Sequence, residues 1–167
     1  MRTRMLGIAA VSAVMVLNAA PAKGQQLSYA VGTERREDPT QLERQAAELY
    51  ESPKNFKRAA GLLMRAAGMR EAGDPQKVRN QSLAARLYYY AGDRDRSFTL
   101  LTETADYALS VGDVVTAAEL YLDASSVAQE LERGDEVLRL AHKAQLLLRS
   151  PLVSAVDRQR LLVRIAG

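Results

Sequence analysis

Residue pairs that begin and end helices recur along this chain and limit the length of any element between them. Four prolines follow a residue that caps helices well, in the pairs Asp38-Pro39, Ser52-Pro53, Asp74-Pro75 and Ser150-Pro151. Proline is tolerated at the first position of a helix because the N–H that it lacks would have no partner there. The preceding aspartate or serine can accept a hydrogen bond from the first turn. Each pair therefore predicts the start of a helix.

The dipeptide Gly-Asp marks a second set of boundaries, at 73/74, 92/93, 112/113 and 134/135. Glycine adopts the left-handed conformation in which many helices end, and aspartate caps the helix that follows. Successive dipeptides lie 19, 20 and 22 residues apart, which is the length of one helix and one tight turn. These intervals predict a regular succession of helices.

Apolar residues between these boundaries follow a helical period, as Leu83, Leu87 and Tyr90 do on one face. No segment alternates with the period of a strand. Seven helices are predicted, at 39–51, 54–72, 75–91, 94–111, 113–132, 135–149 and 151–165. Because the loops are short, neighbouring helices must lie antiparallel. The predicted fold class is all-α, built from stacked helical hairpins.

A five-residue word recurs within these helices, as Ala-Ala-Glu-Leu-Tyr at 46–50 and 117–121 and as Ala-Ala-Arg-Leu-Tyr at 84–88. The intervals between the three copies are 38 and 33 residues. Self-similarity at this period is typical of solenoids built from helix pairs of about 34 residues. Small alanines let two helices approach closely, while leucine and tyrosine fill the space between them.

On these residues the chain resembles the tetratricopeptide repeat family, over about residues 39–149. The family has small, aromatic, small, large and small residues at set positions, and the first unit matches them with Ala47, Tyr50, Ala59, Leu63 and Ala66. The resemblance implies a right-handed helical-hairpin solenoid of about three degenerate repeats. It also implies that 151–165 is a capping helix with a polar outer face.

The second and third units depart from the family pattern. Ala85, Tyr88 and Leu101 fit in the second unit, but Ser97 and Thr104 stand where alanine is usual. In the third unit about nine more residues than expected separate the five-residue word from the Gly-Asp at 134/135. An alternative phase that begins with the Gly-Asp at 112/113 fits nearly as well. The first helix of each hairpin therefore depends on the phase chosen.

The N-terminus has the layout of a secretory signal peptide. Arg2 and Arg4 precede an uncharged apolar stretch at 5–17, and small residues follow it. This stretch is short for a membrane span, which needs about 20 apolar residues. We therefore expect 1–24 to be a cleaved signal peptide, 25–37 a flexible leader, and 38–167 the folded domain, in the periplasm or secreted. An uncleaved N-terminal membrane anchor is the alternative.

The composition excludes several classes of protein. The chain has no cysteine, which removes disulfides, cysteine-ligated metals and thiol nucleophiles. The formal net charge of +3 belongs to the precursor, because 20 basic and 20 acidic residues balance from residue 25 onward. Bulk charge therefore gives no support for nucleic-acid binding.

The neutral total hides an uneven distribution of charge. Residues 25–92 carry a net charge of +3, residues 93–132 carry −7, and residues 133–167 carry +4. An acidic middle segment can attract a basic partner, or the basic end of a second copy. The ordinary alternative is a solvated outer face.

Sequence motifs for catalysis are missing. The chain has no nucleophile elbow, phosphate loop, dinucleotide loop or zinc-protease motif. Its one histidine, His142, has no second histidine or cysteine with which to bind a metal. We therefore predict no catalytic residue, no cofactor and no metal. Carboxylates that meet in space need not be close in sequence, so a small helical enzyme stays as the lowest-ranked alternative.

The segment Tyr88-Tyr89-Tyr90 is the strongest indication of a binding surface. Successive helical residues point about 100° apart, so three consecutive tyrosines cannot all face one core. The family resemblance implies that Tyr88 packs between helices, while the next two line a concave groove that holds a peptide. An alternative places Tyr90 in the core and Tyr89 at the surface. The groove residues that the resemblance implies are Arg44, Glu48, Arg79, Arg86, Tyr89, Tyr90, Glu119, Leu122 and Asp123.

The sequence thus favours an exported, non-catalytic scaffold that binds a protein or peptide through a concave face. A membrane contact is expected only if the N-terminal segment is retained. The first alternative is a structural or oligomerising subunit of a cell-envelope assembly, in which copies associate through the helix at 151–165.

Overall fold

The computed structural model describes residues 37–166, so the predicted signal peptide at 1–24 and the leader up to residue 36 lie outside the described residues. Within this range the secondary structure is helical, with no strand. The helices are α1 (Pro39–Leu49), α2 (Phe56–Met69), α3 (Pro75–Tyr90), α4 (Arg94–Ser110), α5 (Val114–Glu130), α6 (Gly134–Leu147) and α7 (Ala155–Ala166). A 3-10 turn at Pro53–Asn55 leads into α2. The all-α prediction is confirmed, and the first six helices end within three residues of their predicted bounds.

Two of the four proline pairs begin α-helices as predicted. Asp38 Oδ1 accepts a hydrogen bond from Thr40 N at 2.9 Å, which caps α1. Asp74 Oδ1 accepts one from Gln76 N at 2.8 Å, which caps α3. Pro53 begins only the short 3-10 turn, so α2 starts later than predicted.

The prediction that Pro151 begins the last helix is wrong. Pro151 lies in a turn, and α7 starts at Ala155. Ser154 Oγ accepts a hydrogen bond from Asp157 N at 3.1 Å and donates one to Asp157 Oδ2 at 2.7 Å. A serine followed three residues later by an acid is itself a local signal for a helix start. Two signals therefore competed within five residues, and the second one begins the helix.

Two of the four Gly-Asp dipeptides, at 92/93 and 112/113, lie directly between one helix and the next. The dipeptide at 73/74 only begins a helix, because α2 already ends at Met69 with an extended residue, Arg70, as its C-cap. Gly73, Gly92 and Gly112 have positive φ values of 85°, 77° and 84°. The fourth dipeptide does not follow this pattern, because Gly134 is the first residue of α6. The residue with the left-handed conformation at that boundary is Glu132, with a φ of 57°.

The turn at Glu132 repeats the hydrogen bonds of the glycine turns. Glu132 N donates to Gln129 O at 3.1 Å, and Arg133 N donates to Ala128 O at 2.9 Å. The turn after α3 contains the same two bonds, at 3.0 and 2.9 Å. Glu132-Arg133 therefore takes the structural place of Gly-Asp.

The structural repeat is longer than the predicted period of about 34 residues. Asp38, Asp74 and Asp113 cap α1, α3 and α5 at intervals of 36 and 39 residues. Ala84 is the tenth residue of α3, whereas Ala117 is the fourth residue of α5. The third copy of the five-residue word is thus displaced along its helix and is not equivalent to the second. The alternative phase, which begins with the Gly-Asp at 112/113, agrees with the cap of α5.

The hairpins stack so that odd-numbered and even-numbered helices form two layers. Each helix from α1 to α5 packs against the next one along the chain, and α7 packs against α5. Side chains also join alternate helices within a layer. Asn80 Nδ2 donates to Glu43 Oε1 at 2.7 Å between α3 and α1. Lys143 Nζ donates to Asp106 Oδ1 at 3.3 Å between α6 and α4.

Small residues fill the space between the helices. Every helix from α1 to α6 contributes at least one alanine with no exposed surface. Tyr88 and Tyr121 are buried among them, and Ser97 and Thr104 are buried where the family pattern has alanine. In α1 the buried small residue is Ala46, whereas the predicted one, Ala47, is exposed.

The acidic middle segment forms ion pairs with basic residues from both flanking segments. The pairs are Lys57–Asp93 at 3.2 Å, Arg133–Asp95 at 2.6 Å, Lys143–Asp106 at 3.3 Å, Arg160–Glu119 at 2.6 Å and Arg164–Asp123 at 2.5 Å. Exposed pairs of this kind each contribute no more than about 1 kcal/mol. Together they engage five of the nine acidic side chains of the middle segment with basic residues of the same chain.

The outer face of α7 is mixed, because exposed valines lie beside the exposed Gln159 and Arg160. Val156 and Val163 lie seven residues apart, on one face of the helix, and are 77% and 69% exposed. Leu152, in the preceding turn, is also exposed, whereas Leu161 on the opposite face is fully buried. Of the described helices, none is long and apolar enough to span a membrane.

Candidate functional site

Two adjoining pockets lie along the groove between α3 and α5. The larger of the two, which we call the tyrosine pocket, has a volume of about 420 Å³. It is lined by Arg86, Tyr89, Tyr90, Ser97, Leu101, Asp123, Ser126, Val127, Glu130 and Arg164. The neighbouring pocket, of about 370 Å³, is lined by Pro75, Val78, Arg79, Ser82, Leu83, Arg86, Asp113, Thr116, Glu119 and Leu120. Arg86 belongs to both, so the two pockets follow one another along the groove.

The antiparallel arrangement explains which helix segments meet at the tyrosine pocket. Its residues come from the C-terminal halves of α3 and α5 and from the N-terminal half of α4, which runs the other way between them. Arg164 from α7 completes the lining. A pocket of this size, in which aromatic and aliphatic side chains alternate with polar and charged ones, is within the size range of ligand-binding sites in proteins.

The three consecutive tyrosines point in different directions, as their 100° spacing requires. Tyr88 is only 3% exposed, and the guanidinium of Arg96 lies 4.4 Å from the centre of its ring. Tyr89 is half-buried at the wall of the tyrosine pocket. Tyr90 is 69% exposed and meets the Tyr89 ring edge-on, with 5.5 Å between the ring centres. The alternative that placed Tyr90 in the core is therefore wrong.

Tyr89 is held in place by a carboxylate from the facing helix. Tyr89 Oη donates a hydrogen bond of 2.5 Å to Glu130 Oε1, and Arg94 Nε donates one of 2.7 Å to Glu130 Oε2. The hydrogen bond to Glu130 raises the pKa of Tyr89, and the hydrogen bonds from Tyr89 and Arg94 lower the pKa of Glu130. At neutral pH the phenol is therefore a neutral donor and the carboxylate is ionised.

A second carboxylate lies between two arginines at the mouth of the pocket. Arg164 Nη2 is 2.5 Å from Asp123 Oδ1, and Arg86 Nη2 is 3.5 Å from Asp123 Oδ2. The tyrosine pocket is thus lined by two acids, Asp123 and Glu130, and by two arginines, Arg86 and Arg164. Asp123 pairs with both arginines and Glu130 pairs with Arg94, so the charged groups of the lining are paired and their net charge is close to zero.

The floor of the tyrosine pocket is formed by Leu101, Val127 and Ser97, all of which are buried. Ser97 has no exposed surface, and its Oγ has no hydrogen-bond partner in the described part of the chain. Buried hydroxyl groups normally have a partner, because losing water without replacement costs free energy.

The structure brings some of the predicted groove residues together. Four of them line the tyrosine pocket, namely Arg86, Tyr89, Tyr90 and Asp123. Arg79 and Glu119 line the neighbouring pocket. That these six residues bind a partner stays a prediction.

Three predicted groove residues lie elsewhere. Arg44 and Glu48 are exposed on α1 and line neither pocket. Leu122 is 7% exposed and belongs to the hydrophobic core, so its placement in the groove is wrong. The error follows from the repeat phase, since the third five-residue word sits in a different register from the second.

Sequence analysis missed six residues of the tyrosine pocket: Ser97, Leu101, Ser126, Val127, Glu130 and Arg164. The positions of three of them on α5 become predictable once the longer repeat is known: Ser126, Val127 and Glu130. Ser97 did carry a signal, because it is polar where the family pattern has alanine. Arg164 carried none, since only the packing of α7 against α5 brings it to the groove.

A separate polar cluster lies outside the groove, between α4, α5 and α6. Tyr121 Oη donates a hydrogen bond to Asp106 Oδ1, and Lys143 Nζ lies 4.8 Å from the centre of the Tyr121 ring. Burial and the hydrogen bond to Asp106 raise the pKa of Tyr121. Because these groups pair among themselves, the cluster joins neighbouring hairpins.

The described residues offer no group of three metal-ligating side chains, and His142 is exposed on α6. Comparison with protein-family models, with curated proteins and with solved structures finds no match. The function must therefore be argued from the groove itself.

Proposed function

We propose that this protein is an exported, non-catalytic scaffold of the tetratricopeptide type, which binds an extended segment of another polypeptide in the groove between α3 and α5. The signal-peptide layout of residues 1–24 supports export. The missing catalytic motifs favour a binding protein over an enzyme. The identity of the bound polypeptide is not encoded in any motif of this chain.

The tyrosine pocket is the observation that carries this proposal. Tyr90 exposes most of its ring beside an apolar cavity, and Arg86 has an exposed guanidinium at the mouth. Tyrosine and arginine are enriched among residues that dominate binding energy, because they combine a large contact area with a polar end. The neighbouring pocket extends the same groove, so a segment of several residues can lie along it.

Selection from a random peptide library displayed on phage, with the mature protein as bait, tests the proposal. We expect enriched peptides whose affinity falls at least about tenfold with Tyr90→Ala, as for a residue that dominates binding. The thermal stability should change little, because Tyr90 is mostly exposed. Leu138→Ala is the matched control, since Leu138 is equally exposed on α6 and lines neither groove pocket.

Two results would overturn the proposal. The library could yield no enriched peptide over an unrelated helical bait. Alternatively, enriched peptides could bind Tyr90→Ala as well as they bind the unchanged protein, which would place their site away from the groove.

The exposed valines of α7, Val156 and Val163, favour a second candidate function, an oligomerising subunit in which α7 pairs with α7 of a second copy. The arginines of this helix are engaged within the chain: Arg158 with backbone carbonyls, Arg160 with Glu119, and Arg164 with Asp123. The exposed face around Val156 and Val163 also carries Gln159 and Arg160, and the charge of Arg160 is paired with Glu119. In a two-fold interface the same patch of each copy meets, so these valines would pack against their counterparts.

Light scattering coupled to size-exclusion chromatography tests this second function. We expect a dimer that the double substitution Val156→Glu and Val163→Glu converts to a monomer, with unchanged helix content. Leu138→Glu is the control, because it adds a charge at an equally exposed apolar site on α6. A wild-type protein that stays monomeric at high micromolar concentration would exclude the oligomerising role.

A further inference from the structure

Ser97 is the exception among the hydroxyl groups of α4. The three threonines of this helix each donate to the carbonyl four residues earlier: Thr99 to Asp95 O at 3.0 Å, Thr102 to Phe98 O at 3.0 Å and Thr104 to Leu100 O at 2.6 Å. Ser97 is one turn from the start of the same helix and could have bonded to Asp93 O. Its Oγ instead has no partner among the described residues.

In the described chain, two side chains have a buried polar atom that lacks a partner, Ser97 and Gln81, and Gln81 Oε1 lines neither groove pocket. Asn80 donates to Glu43, Thr104 to a backbone carbonyl, and Ser125 to Val137 O at 3.1 Å. Ser97 lacks a protein partner and is the member of this set that lines the tyrosine pocket. A buried hydroxyl without a partner costs free energy in the free protein, and a ligand that supplies the partner recovers it.

We propose that the tyrosine pocket binds a tyrosine side chain of the peptide segment, whose phenol hydroxyl hydrogen-bonds to Ser97 Oγ. This inference rests on the proposed peptide-binding function. It adds the chemical identity of the side chain that occupies the pocket and the residue that selects it.

The walls of the pocket favour an aromatic body. Leu101 and Val127 supply apolar surface, and the exposed ring of Tyr90 can pack against another ring in an edge-on or offset arrangement. The half-buried Tyr89 already packs edge-on against Tyr90, so the two rings form a preformed aromatic corner.

The charges around the pocket favour a neutral occupant. A cationic side chain in the pocket would be repelled by Arg86 and Arg164, and an anionic side chain would be repelled by Asp123 and Glu130. Because these four groups already pair within the chain, a charged occupant would have to break existing ion pairs. Phenylalanine is neutral but leaves Ser97 without a partner, whereas tyrosine satisfies both conditions.

Fragment binding to the mature protein tests the inference without a known partner. The probes are 4-methylphenol and toluene, which reproduce the side chains of tyrosine and phenylalanine, titrated against the protein and its Ser97→Ala variant. Two-dimensional NMR reports affinity and location together. We expect 4-methylphenol to bind about fivefold more tightly than toluene, which is the typical net effect of one neutral hydrogen bond. Shifts should centre on the amides of Ser97, Leu101 and Val127.

In Ser97→Ala the preference for 4-methylphenol should disappear while toluene binds at least as tightly. This variant should also keep or raise the melting temperature, because it removes an unpartnered buried hydroxyl. Equal affinities of the two probes for the unchanged protein would overturn the inference, as would a preference that survives Ser97→Ala.

The peptide library separates this inference from the function on which it rests. Enriched peptides that need Tyr90 but contain no tyrosine would overturn the inference and leave the proposed function standing. A preference for 4-methylphenol that requires Ser97, in a protein that enriches no peptide, would support the pocket chemistry and overturn peptide binding.

Discussion

The two ends of the helical stack are joined by different interactions. At the N-terminal junction, α1, α2 and α3 meet at Glu43, which accepts hydrogen bonds from Arg70 at 2.8 and 3.0 Å and from Asn80 at 2.7 Å. The side chains of Glu43 and Arg70 are each 19% exposed. At the C-terminal junction, α5 and α7 are joined by the exposed pairs of Arg160 and Arg164.

This difference shows how one repeated architecture can have a rigid and an adaptable region. A network shielded from water is expensive to break, whereas exposed ion pairs exchange readily with water and salt. The groove lies beside the C-terminal junction, since Arg164 of α7 lines the tyrosine pocket. We therefore expect the N-terminal junction to determine stability and the C-terminal junction to determine recognition.

The largest expected effect is that of Glu43→Ala on stability. The substitution leaves the part-buried Arg70 and Asn80 without their shared acceptor, which should lower the free energy of unfolding by about 2 kcal/mol. Urea denaturation measures this. Glu48→Ala on the same helix is the control and should change stability by less than about 0.5 kcal/mol, because Glu48 is exposed. Equal effects of the two substitutions would remove the contrast between the junctions.

The turn between α5 and α6 offers a substitution that should stabilise the protein. Glu132 has a left-handed conformation that costs about 1 kcal/mol for a residue with a side chain. Glu132→Gly should therefore raise the free energy of unfolding by about 1 kcal/mol. Gly112→Ala, at a φ of 84°, is the reverse control and should lower it. A destabilising Glu132→Gly would mean that this turn is not equivalent to the glycine turns.

Loss of an ion pair at the C-terminal junction should have a smaller effect on stability. Arg164→Ala removes the contact with Asp123. Because the arginine side chain is 40% exposed, this contact should contribute less than about 1 kcal/mol. The same substitution alters the mouth of the tyrosine pocket, so it should change peptide affinity more than stability. Calorimetry of unfolding and of binding gives both quantities. A loss of stability as large as that of Glu43→Ala would contradict the contrast.

The smallest expected effect is that of Asp74→Asn, at the N-terminal junction, on the pH dependence of the melting temperature. Hydrogen bonds from Gln76 N and Arg70 lower the pKa of Asp74. A carboxyl whose pKa is lower in the folded protein stabilises it above the unfolded pKa of about 4, and this contribution is lost as the pH falls through the folded pKa. Asp74→Asn keeps a good helix cap but removes the charge. The difference in melting temperature between the two proteins should therefore shrink below about pH 4; a constant difference would mean that the charge contributes nothing.

Helix positions could be predicted from the sequence because their causes are local. Asp38 and Asp74 cap their helices through groups two residues away, and the glycine turns need only a residue that tolerates positive φ. Two boundaries differ from the prediction. After Pro151 a second local signal, Ser154 followed by Asp157, begins the helix. Near Gly134 the turn falls on Glu132 and Arg133 instead.

The composition of the groove could be predicted only in part. Successive helical residues point about 100° apart, so the sequence could predict that at least one of the three consecutive tyrosines is exposed. In the structure this residue is Tyr90. The register of α5 could not be predicted, because the five-residue word recurs without being structurally equivalent. Leu122 was assigned to the groove for that reason, and Glu130 was overlooked.

The sequence by itself determined that this chain forms antiparallel helices of about four turns, joined by tight turns and separated by small side chains. Those features depend on residues within one turn of each other. Only the tertiary structure decided that Ser97 lines a pocket without a partner for its hydroxyl, that Arg164 reaches the groove, and that basic residues of both flanking segments pair with the acidic middle segment. These features depend on residues up to 41 positions apart, whose meeting is set by the packing of whole helices.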